Sequence, residues 1–257
     1  MSQASFRFYA ELNDFLPPER RQVAFTSAFQ GRPSIKDTVE ALGVPHTEID
    51  LILINGVSVD FTHPVADGDQ VSVYPVFEGL DISPLVRLRP QPLRDPRFVL
   101  DGHLGRLATY LRLLGFDSLY RNDYDDAMLA AISAGENRIL LTRDRGLLKR
   151  SLVTHGYCVR STDPRQQIKE VVARFDLAGA AAPFTRCLHC SGLLEEVNKD
   201  EIAESLPENT RQYFQTFFRC ATCGQLFWRG SHYKALEKLI DEIMTGVIFN
   251  GNPADPR

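Results

Sequence analysis

At 257 residues, the chain is long enough for one large domain or for two to three small ones. Its hydrophobic content of 44% and charged content of 24% are ordinary for a soluble globular protein. No apolar run approaches the roughly 20 residues that a membrane span needs, and the opening MSQASFRFYAEL lacks the pattern of a secretory signal. We therefore predict a cytoplasmic protein with no membrane partner, whose five cysteines bind metal or stay reduced.

The charge is distributed unevenly along the chain. Residues 1–84 carry 5 Lys/Arg against 12 Asp/Glu, residues 85–176 carry 16 against 11, and residues 177–257 carry 8 against 10. A basic middle segment suits a polyanionic partner such as nucleic acid, and an ordinary solvated surface is the open alternative.

Residues 1–80 have the pattern of five strands and one short helix. We predict strands at 5–9, 23–25, 49–54, 57–59 and 71–75, and a helix over 34–43 that Ser34 caps and Gly43 ends. Asn55-Gly56 predicts a hairpin turn. This ββαβββ order, with the segments ILINGVSVD and ADGDQVSVYPVFEG, resembles the ubiquitin-like β-grasp fold of small sulfur-carrier proteins.

The end of this region argues against a carrier role. Sulfur carriers and conjugated ubiquitin-like proteins act through a free C-terminal Gly-Gly. Here the end of the ubiquitin-like region has a single glycine, Gly79, and the chain continues beyond it. We expect a fused stabilising module, or one that binds a protein partner.

Residues 81–97 contain four prolines and four arginines, which predict an extended linker whose arginines either stay solvated or contact a phosphate backbone.

Residues 98–178 alternate short apolar strands with amphipathic helices, a pattern typical of a parallel α/β sheet with covered faces. One predicted helix begins at Asp125 or Asp126, runs through Ser133, and points Met128, Leu129 and Ile132 inward. The predicted strands are 98–100, 117–120, 138–141 and 157–159, and the other helices are 103–114, 144–149 and one that begins at Pro164.

Acidic residues follow these strands or begin the helices. Asp101, Asp126 and Asp144 lie at such positions, with Asp125 or Asp123 as a fourth, and the carboxyl ends of parallel strands meet at one edge of a sheet. Gathered carboxylates repel unless a cation neutralises them, and their oxygens suit Mg²⁺ or Mn²⁺, which activate water for attack on a phosphodiester. Taken singly, each acid has another explanation, as a helix cap, a turn residue or a loop acid.

Four basic residues lie beside Asp144. On one interpretation they contact substrate phosphates, and on the other they solvate a short helix. These candidate nucleic-acid ligands are Arg143, Arg145, Lys149 and Arg150.

Two CxxC pairs, separated by 29 residues, follow the α/β region. Four thiolates complete a tetrahedral site and leave no open position, so we predict a structural zinc ion rather than disulfides or free thiols. The expected ribbon covers residues 179–245, including a C-terminal helix, and a flexible tail covers 246–257. The predicted zinc ligands are Cys187, Cys190, Cys220 and Cys223.

The segments LDGHLGRLATYLRLLGFD, DDAMLAAI and RILLTRDRGLLKR, with the CxxC pairs and WRGSH, resemble the Mut-seven C-terminal RNase-like family. That resemblance implies a PIN-like nuclease domain fused to a zinc ribbon, with a β-grasp domain in front in some members. It also implies that Asp101, Asp126 and Asp144 are metal-binding acids, and Asp125 is a weaker match. His103 departs from the family pattern, and we leave it out of the catalytic set.

We therefore expect three parts: a β-grasp domain over 1–80, a PIN-like parallel-sheet α/β/α domain over 98–178, and a Cys₄ zinc ribbon. The expected function is a metal-dependent ribonuclease that hydrolyses phosphodiester bonds of single-stranded RNA with Mg²⁺ or Mn²⁺. The alternative is a catalytically inactive RNA-binding or adaptor protein, whose RNA binding would be indifferent to divalent metal.

Overall fold

The computed structural model describes residues 1–75, 88 and 96–250. The chain divides into two compact units: the first contains Met1–Asp95 and Asp126–Cys158, and the second contains Pro96–Asp125 and Val159–Arg257. Gly79 and most of the predicted linker, including Arg87, Arg89 and Arg94, lie outside the described residues. No helix in the described part of the chain is both long and apolar enough to cross a membrane.

The first 75 residues form a five-stranded mixed sheet and one helix. In the sheet order β2-β1-β5-β3-β4, β1 runs parallel to β5, and the other neighbours are antiparallel. This chain order and strand pairing confirm the predicted β-grasp fold. The elements are β1 (Ser2–Phe8), β2 (Phe25–Phe29), α1 (Ile35–Ala41), β3 (Ile49–Ile54), β4 (Val57–Ser58) and β5 (Gln70–Pro75).

Local signals explain several of these elements. Ser34 caps α1 by accepting a hydrogen bond from the Asp37 amide at 3.1 Å, as predicted. Asn55 and Gly56 both have positive φ angles, +51° and +82°, which is the backbone that a two-residue hairpin turn requires. The helix packs on the sheet through side chains that are fully buried, among them Phe6, Ile35, Val39 and Ile52.

Residues 98–174 alternate strands and helices, as predicted for the α/β region. Strands β6 and β7 pair in parallel within the second unit, and β8 and β9 pair in parallel within the first. The elements are β6 (Phe98–Leu100), α2 (Gly105–Leu113), β7 (Ser118–Tyr120), α3 (Asp126–Glu136), β8 (Ile139–Thr142), α4 (Arg145–Leu148), β9 (Gly156–Cys158) and α5 (Pro164–Arg174).

The prediction that Met128 points inward is wrong. Met128 is 45% exposed, because the buried face of α3 runs through Leu129, Ala130 and Ser133 and leaves Met128 outside it. By contrast, all three residues of β6 and all four of β8 are buried, which is typical of parallel strands with both faces covered.

The C-terminal part of the second unit is a three-stranded antiparallel sheet with flanking helices. Its core is a small cluster of Val197, Ile202, Leu206 and Phe217. The final helix extends to Asn250, beyond residue 245 where the flexible tail was predicted to follow it, and residues 251–257 are not described. The elements are β10 (Leu194–Val197), α6 (Lys199–Ile202), α7 (Glu208–Tyr213), β11 (Phe217–Cys220), β12 (Leu226–Trp228) and α8 (Tyr233–Asn250).

Candidate functional site

The four cysteines of the two CxxC pairs lie together in the second unit. The Sγ atoms of Cys187 and Cys223 are 3.7 Å apart, and those of Cys190 and Cys220 are 3.4 Å apart. All four lie within 4.8 Å of one another, and among the described residues no other group of three or more His, Cys, Asp or Glu side chains comes this close. A tetrahedral ion with bonds of about 2.3 Å to sulfur holds its sulfurs about 3.8 Å apart, so this spacing fits zinc.

The backbone around the second CxxC pair points its polar groups at one sulfur. The amides of Thr222 and Cys223 donate to the Cys220 Sγ at 3.4 and 3.5 Å, and the Gly224 amide donates to the Cys220 carbonyl. Gly224 has a φ of +75°, which closes this turn. The loop therefore holds the sulfur in place and favours its ionised form.

The thiols differ in how readily they lose a proton. Burial acts to raise the pKa of Cys220, but the amides of Cys223 and Thr222 outweigh burial and lower that pKa to about 7. Burial raises the pKa of Cys187 and raises the pKa of Cys190 to about 12. Cys220 is therefore ionised more readily than Cys187 or Cys190, and Cys190 would release its proton to solvent when a cation binds.

Arg112 of α2 joins the first CxxC pair to the α/β region. Its side chain is 4% exposed and donates to the carbonyls of Ser118 at 2.9 Å, Leu188 at 3.1 Å and His189 at 2.9 Å. Burial lowers the pKa of Arg112, and the nearby Cys190 acts in the opposite direction. The role of Arg112 was not predicted from the sequence, although an arginine one turn after the buried Ala108 of the helix was a readable signal.

Two of the candidate acids, Asp101 and Asp125, lie in the second unit. Asp101 follows β6 directly and begins a 3₁₀ turn, in which the Leu104 amide donates to its carbonyl. Its carboxylate is 19% exposed and lies 3.3 Å from the Nδ1 of His103. Asp123, the other candidate for the fourth position, forms two hydrogen bonds with the Arg121 guanidinium, at 2.8 and 2.6 Å.

The other two acids, Asp126 and Asp144, lie in the first unit. Asp144 is exposed and caps α4, because its Oδ1 accepts from the Gly146 amide at 2.7 Å. Thr142 fixes the same turn by accepting from the Asp144 amide at 2.9 Å. Asp126 begins α3, and its carboxylate is 3.8 Å from the Arg150 guanidinium. The convergence of these two acids with Asp101 stays a prediction.

The four predicted nucleic-acid ligands have different surroundings. Arg143 is exposed at the end of β8, and Arg150 is exposed and lies beside Asp126. Arg145 donates to the Phe15 carbonyl at 3.3 Å, and Lys149 donates to the Glu40 carbonyl at 2.5 Å. The latter two therefore hold the N-terminal domain, and phosphate binding by any of the four is an untested prediction.

The protein is of a multidomain α/β class. It combines a ubiquitin-like domain, an α/β region with parallel strands and a C-terminal cysteine cluster. The particular family follows from comparison with family models. The Mut7-C RNAse domain model matches residues 96–240, and the Mut7-C ubiquitin model matches residues 1–81. The chain belongs to the Mut7-C RNAse domain family, as its resemblance predicted, and the match supports a nuclease-like function.

Two solved structures of small archaeal modifier protein 1 from Haloferax volcanii are similar to part of the chain. Each is 18% identical; one covers 29% of this chain and 98% of its own, with a TM-score of 0.24, and the other covers 31% and 100%, with a TM-score of 0.25. The comparison with curated proteins gives no match. The assignment of the N-terminal domain therefore depends on the family model and on the strand order.

Proposed function

We propose that the protein is a metal-dependent ribonuclease that hydrolyses single-stranded RNA, with Asp101, Asp126 and Asp144 as ligands of Mg²⁺ or Mn²⁺ and Asp125 as an accessory acid. The observation that carries this proposal is the match of residues 96–240 to an RNase domain, because this range contains every one of these acids. Carboxylate oxygens are the ligands that these hard cations prefer.

The surroundings of Asp144 support such a role. Asp144 follows a strand and is held at one oxygen by the Gly146 amide. Its second oxygen and its exposure leave it accessible to a ligand from solvent. The bound cation would supply charge for the scissile phosphate and would activate water. The residues of the chain fix the carboxylates and supply nearby positive charge.

Arg150 is the basic residue whose surroundings best fit a contact with substrate. It is exposed, and its guanidinium lies 3.8 Å from the Asp126 carboxylate. Without a bound cation, the guanidinium partly neutralises that carboxylate. A cation that takes over the carboxylate would release the guanidinium to bind a phosphate. Arg143 is exposed and directly follows β8, and it is the second candidate for this contact.

The zinc site has a structural role in this proposal. The four sulfurs lie at the spacing of a closed tetrahedral site, which leaves no position for a substrate. The surrounding sheet has a core of only a few apolar side chains, so metal binding would supply much of its folding energy.

The test is cleavage of labelled single-stranded RNA by the Asp144→Asn variant in the presence of Mn²⁺. Asparagine is also a good helix cap, so the fold should be kept while a ligand charge is lost. We expect cleavage to fall at least ~100-fold, a loss typical of a residue that stabilises the transition state.

The matched control is Asp163→Asn, because Asp163 caps α5 through the Arg165 and Gln166 amides in the same way. This variant should cleave RNA like the wild type. Cleavage by Asp144→Asn at the wild-type rate would refute the assignment.

A further inference from the structure

Three consecutive polar residues of the ubiquitin-like domain are buried. His46, Thr47 and Glu48 form a short 3₁₀ helix before β3 and are 6%, 0% and 1% exposed. An imidazole and a carboxylate are buried in proteins only when they are hydrogen-bonded. A free-standing domain of this size would keep such residues in water.

Two of them, His46 and Glu48, contact backbone more than a hundred residues further along the chain, in the same compact unit. The His46 Nε2 donates to the Val153 carbonyl at 2.9 Å, and the Glu48 Oε1 accepts from the Cys158 amide at 2.6 Å. Glu48 therefore satisfies the last backbone donor of β9 from outside the strand. The ubiquitin-like domain thus contacts the segment that contains β9 through buried, hydrogen-bonded side chains.

A second set of contacts reaches α4. The Arg145 guanidinium carbon lies 4.8 Å from the centre of the Phe15 ring, and its nitrogens donate to the carbonyls of Phe15 and Asp14 at 3.3 and 3.5 Å. Lys149 lies one turn later, on the same side of the helix, and donates to the Glu40 carbonyl. Both cations thus contact backbone carbonyls of the ubiquitin-like domain.

Glu40 joins the two sets of contacts. Its carboxylate lies 2.6 Å from the Nδ1 of His46, and its carbonyl accepts from Lys149. The charges are complementary, since residues 1–84 carry 12 acids against 5 Lys/Arg, while the helix and its flanks contribute Arg143, Arg145, Lys149 and Arg150.

These contacts matter because α4 has only four residues. A helix of one turn is not stable by itself, so its position depends on what its side chains touch. Leu147 and Leu148 hold its buried side, and Arg145 and Lys149 hold the side towards the ubiquitin-like domain. Its capping residue is Asp144.

We propose that the ubiquitin-like domain is a fixed positioning element of the candidate nuclease site, which holds α4 through Arg145 and Lys149 and β9 through Glu48. The domain thereby determines where Asp144 presents its carboxylate. Arg145 and Lys149 are positioning residues and not phosphate contacts. The role of Asp144 in this inference rests on the proposed function, whereas the clamp itself does not.

The first measurement is amide hydrogen exchange of the full-length protein, read in the peptide that covers residues 143–150. Arg145→Ala and Lys149→Met should each accelerate exchange there roughly fivefold, because each removes a charge-assisted contact that holds the helix. Arg20→Ala is the matched control, since Arg20 lies 4.9 Å over the Phe25 ring in the same domain. Unchanged exchange in both test variants would overturn the clamp, whether or not the protein cleaves RNA.

The second measurement separates positioning from phosphate binding. In the two test variants, we expect the half-activating Mn²⁺ concentration for RNA cleavage to rise roughly threefold or more, because a mobile Asp144 binds metal less well. RNA affinity without divalent metal, and its salt dependence, should stay at wild-type values. A salt slope that falls by about one for either variant would show a phosphate contact and would refute the positioning role. Absence of cleavage by the wild type would refute the proposed function alone.

Discussion

Arg112 offers the sharpest stability test, because one buried side chain holds three carbonyls from two parts of the second unit. In Arg112→Met, the stem is kept and the guanidinium is removed. The bond to the buried Ser118 carbonyl should contribute about 2 kcal/mol, and the bonds to the part-buried Leu188 and His189 carbonyls about 1 kcal/mol each. Part of this is offset, because methionine costs less to bury than a charged guanidinium. We expect the free energy of unfolding to fall by about 3 kcal/mol.

Urea denaturation of the zinc-loaded protein measures this change. Arg106→Met is the control, because Arg106 is exposed on the same helix and its loss should change stability by less than about 0.5 kcal/mol. Zinc transfer to a chelator should also accelerate in Arg112→Met, since two of the three carbonyls lie between Cys187 and Cys190. A loss below about 1 kcal/mol, together with unchanged zinc transfer, would refute the reasoning.

Two further predictions concern metal affinity and backbone geometry. Zinc affinity, measured by competition with a coloured chelator, should decrease more steeply as the pH falls through about 7, because Cys220 then also has to lose a proton; an unchanged slope between pH 6 and 8 would contradict this. Gly115→Ala should destabilise the protein by about 3 kcal/mol or more in urea unfolding, because Gly115 has a φ of +94° and a Cβ there would lie 2.2 Å from the Ala182 carbonyl. In Gly135→Ala, within α3 and with open space around it, stability should rise by about 0.5–1 kcal/mol; equal effects of the two changes would refute this explanation.

Local patterns were sufficient for most of the ubiquitin-like domain. The Ser34 cap and the Asn55-Gly56 turn depend on nearby residues alone, and both were predicted correctly. The second strand was placed too early, at Val23, because its register is decided by pairing with β1, where Phe6 lies opposite Phe25 and Ser2 opposite Phe29. Such pairing is non-local and has no signal in a three-residue apolar run.

The candidate site was predicted unevenly for a similar reason. The cysteines could be found from spacing, because a CxxC pair brings its two sulfurs together locally. The surroundings of Arg145 and Lys149 could not, because their partners Phe15 and Glu40 are more than a hundred residues away. For the same reason, the burial of His46 and Glu48 could not be predicted from their neighbours in the sequence.

Hydrogen bonds and strand pairing connect the cysteine cluster to the backbone next to Asp101 within the second unit. The Ser191 hydroxyl, next to Cys190, accepts from the Ser118 amide at 2.8 Å, and Arg112 holds the Ser118 carbonyl. Ser118 begins β7, which pairs in parallel with β6, and β6 ends directly before Asp101. Four thiolates with one Zn²⁺ would carry a net charge of −2, which the buried guanidinium of Arg112 would partly balance. Because the same guanidinium binds both the CxxC loop and β7, we expect loss of a bound zinc ion to loosen β7, the strand that pairs with β6 next to Asp101. In the proposed arrangement, a zinc ion at the cysteine cluster would support one candidate acid, Asp101, and the ubiquitin-like domain would support another, Asp144.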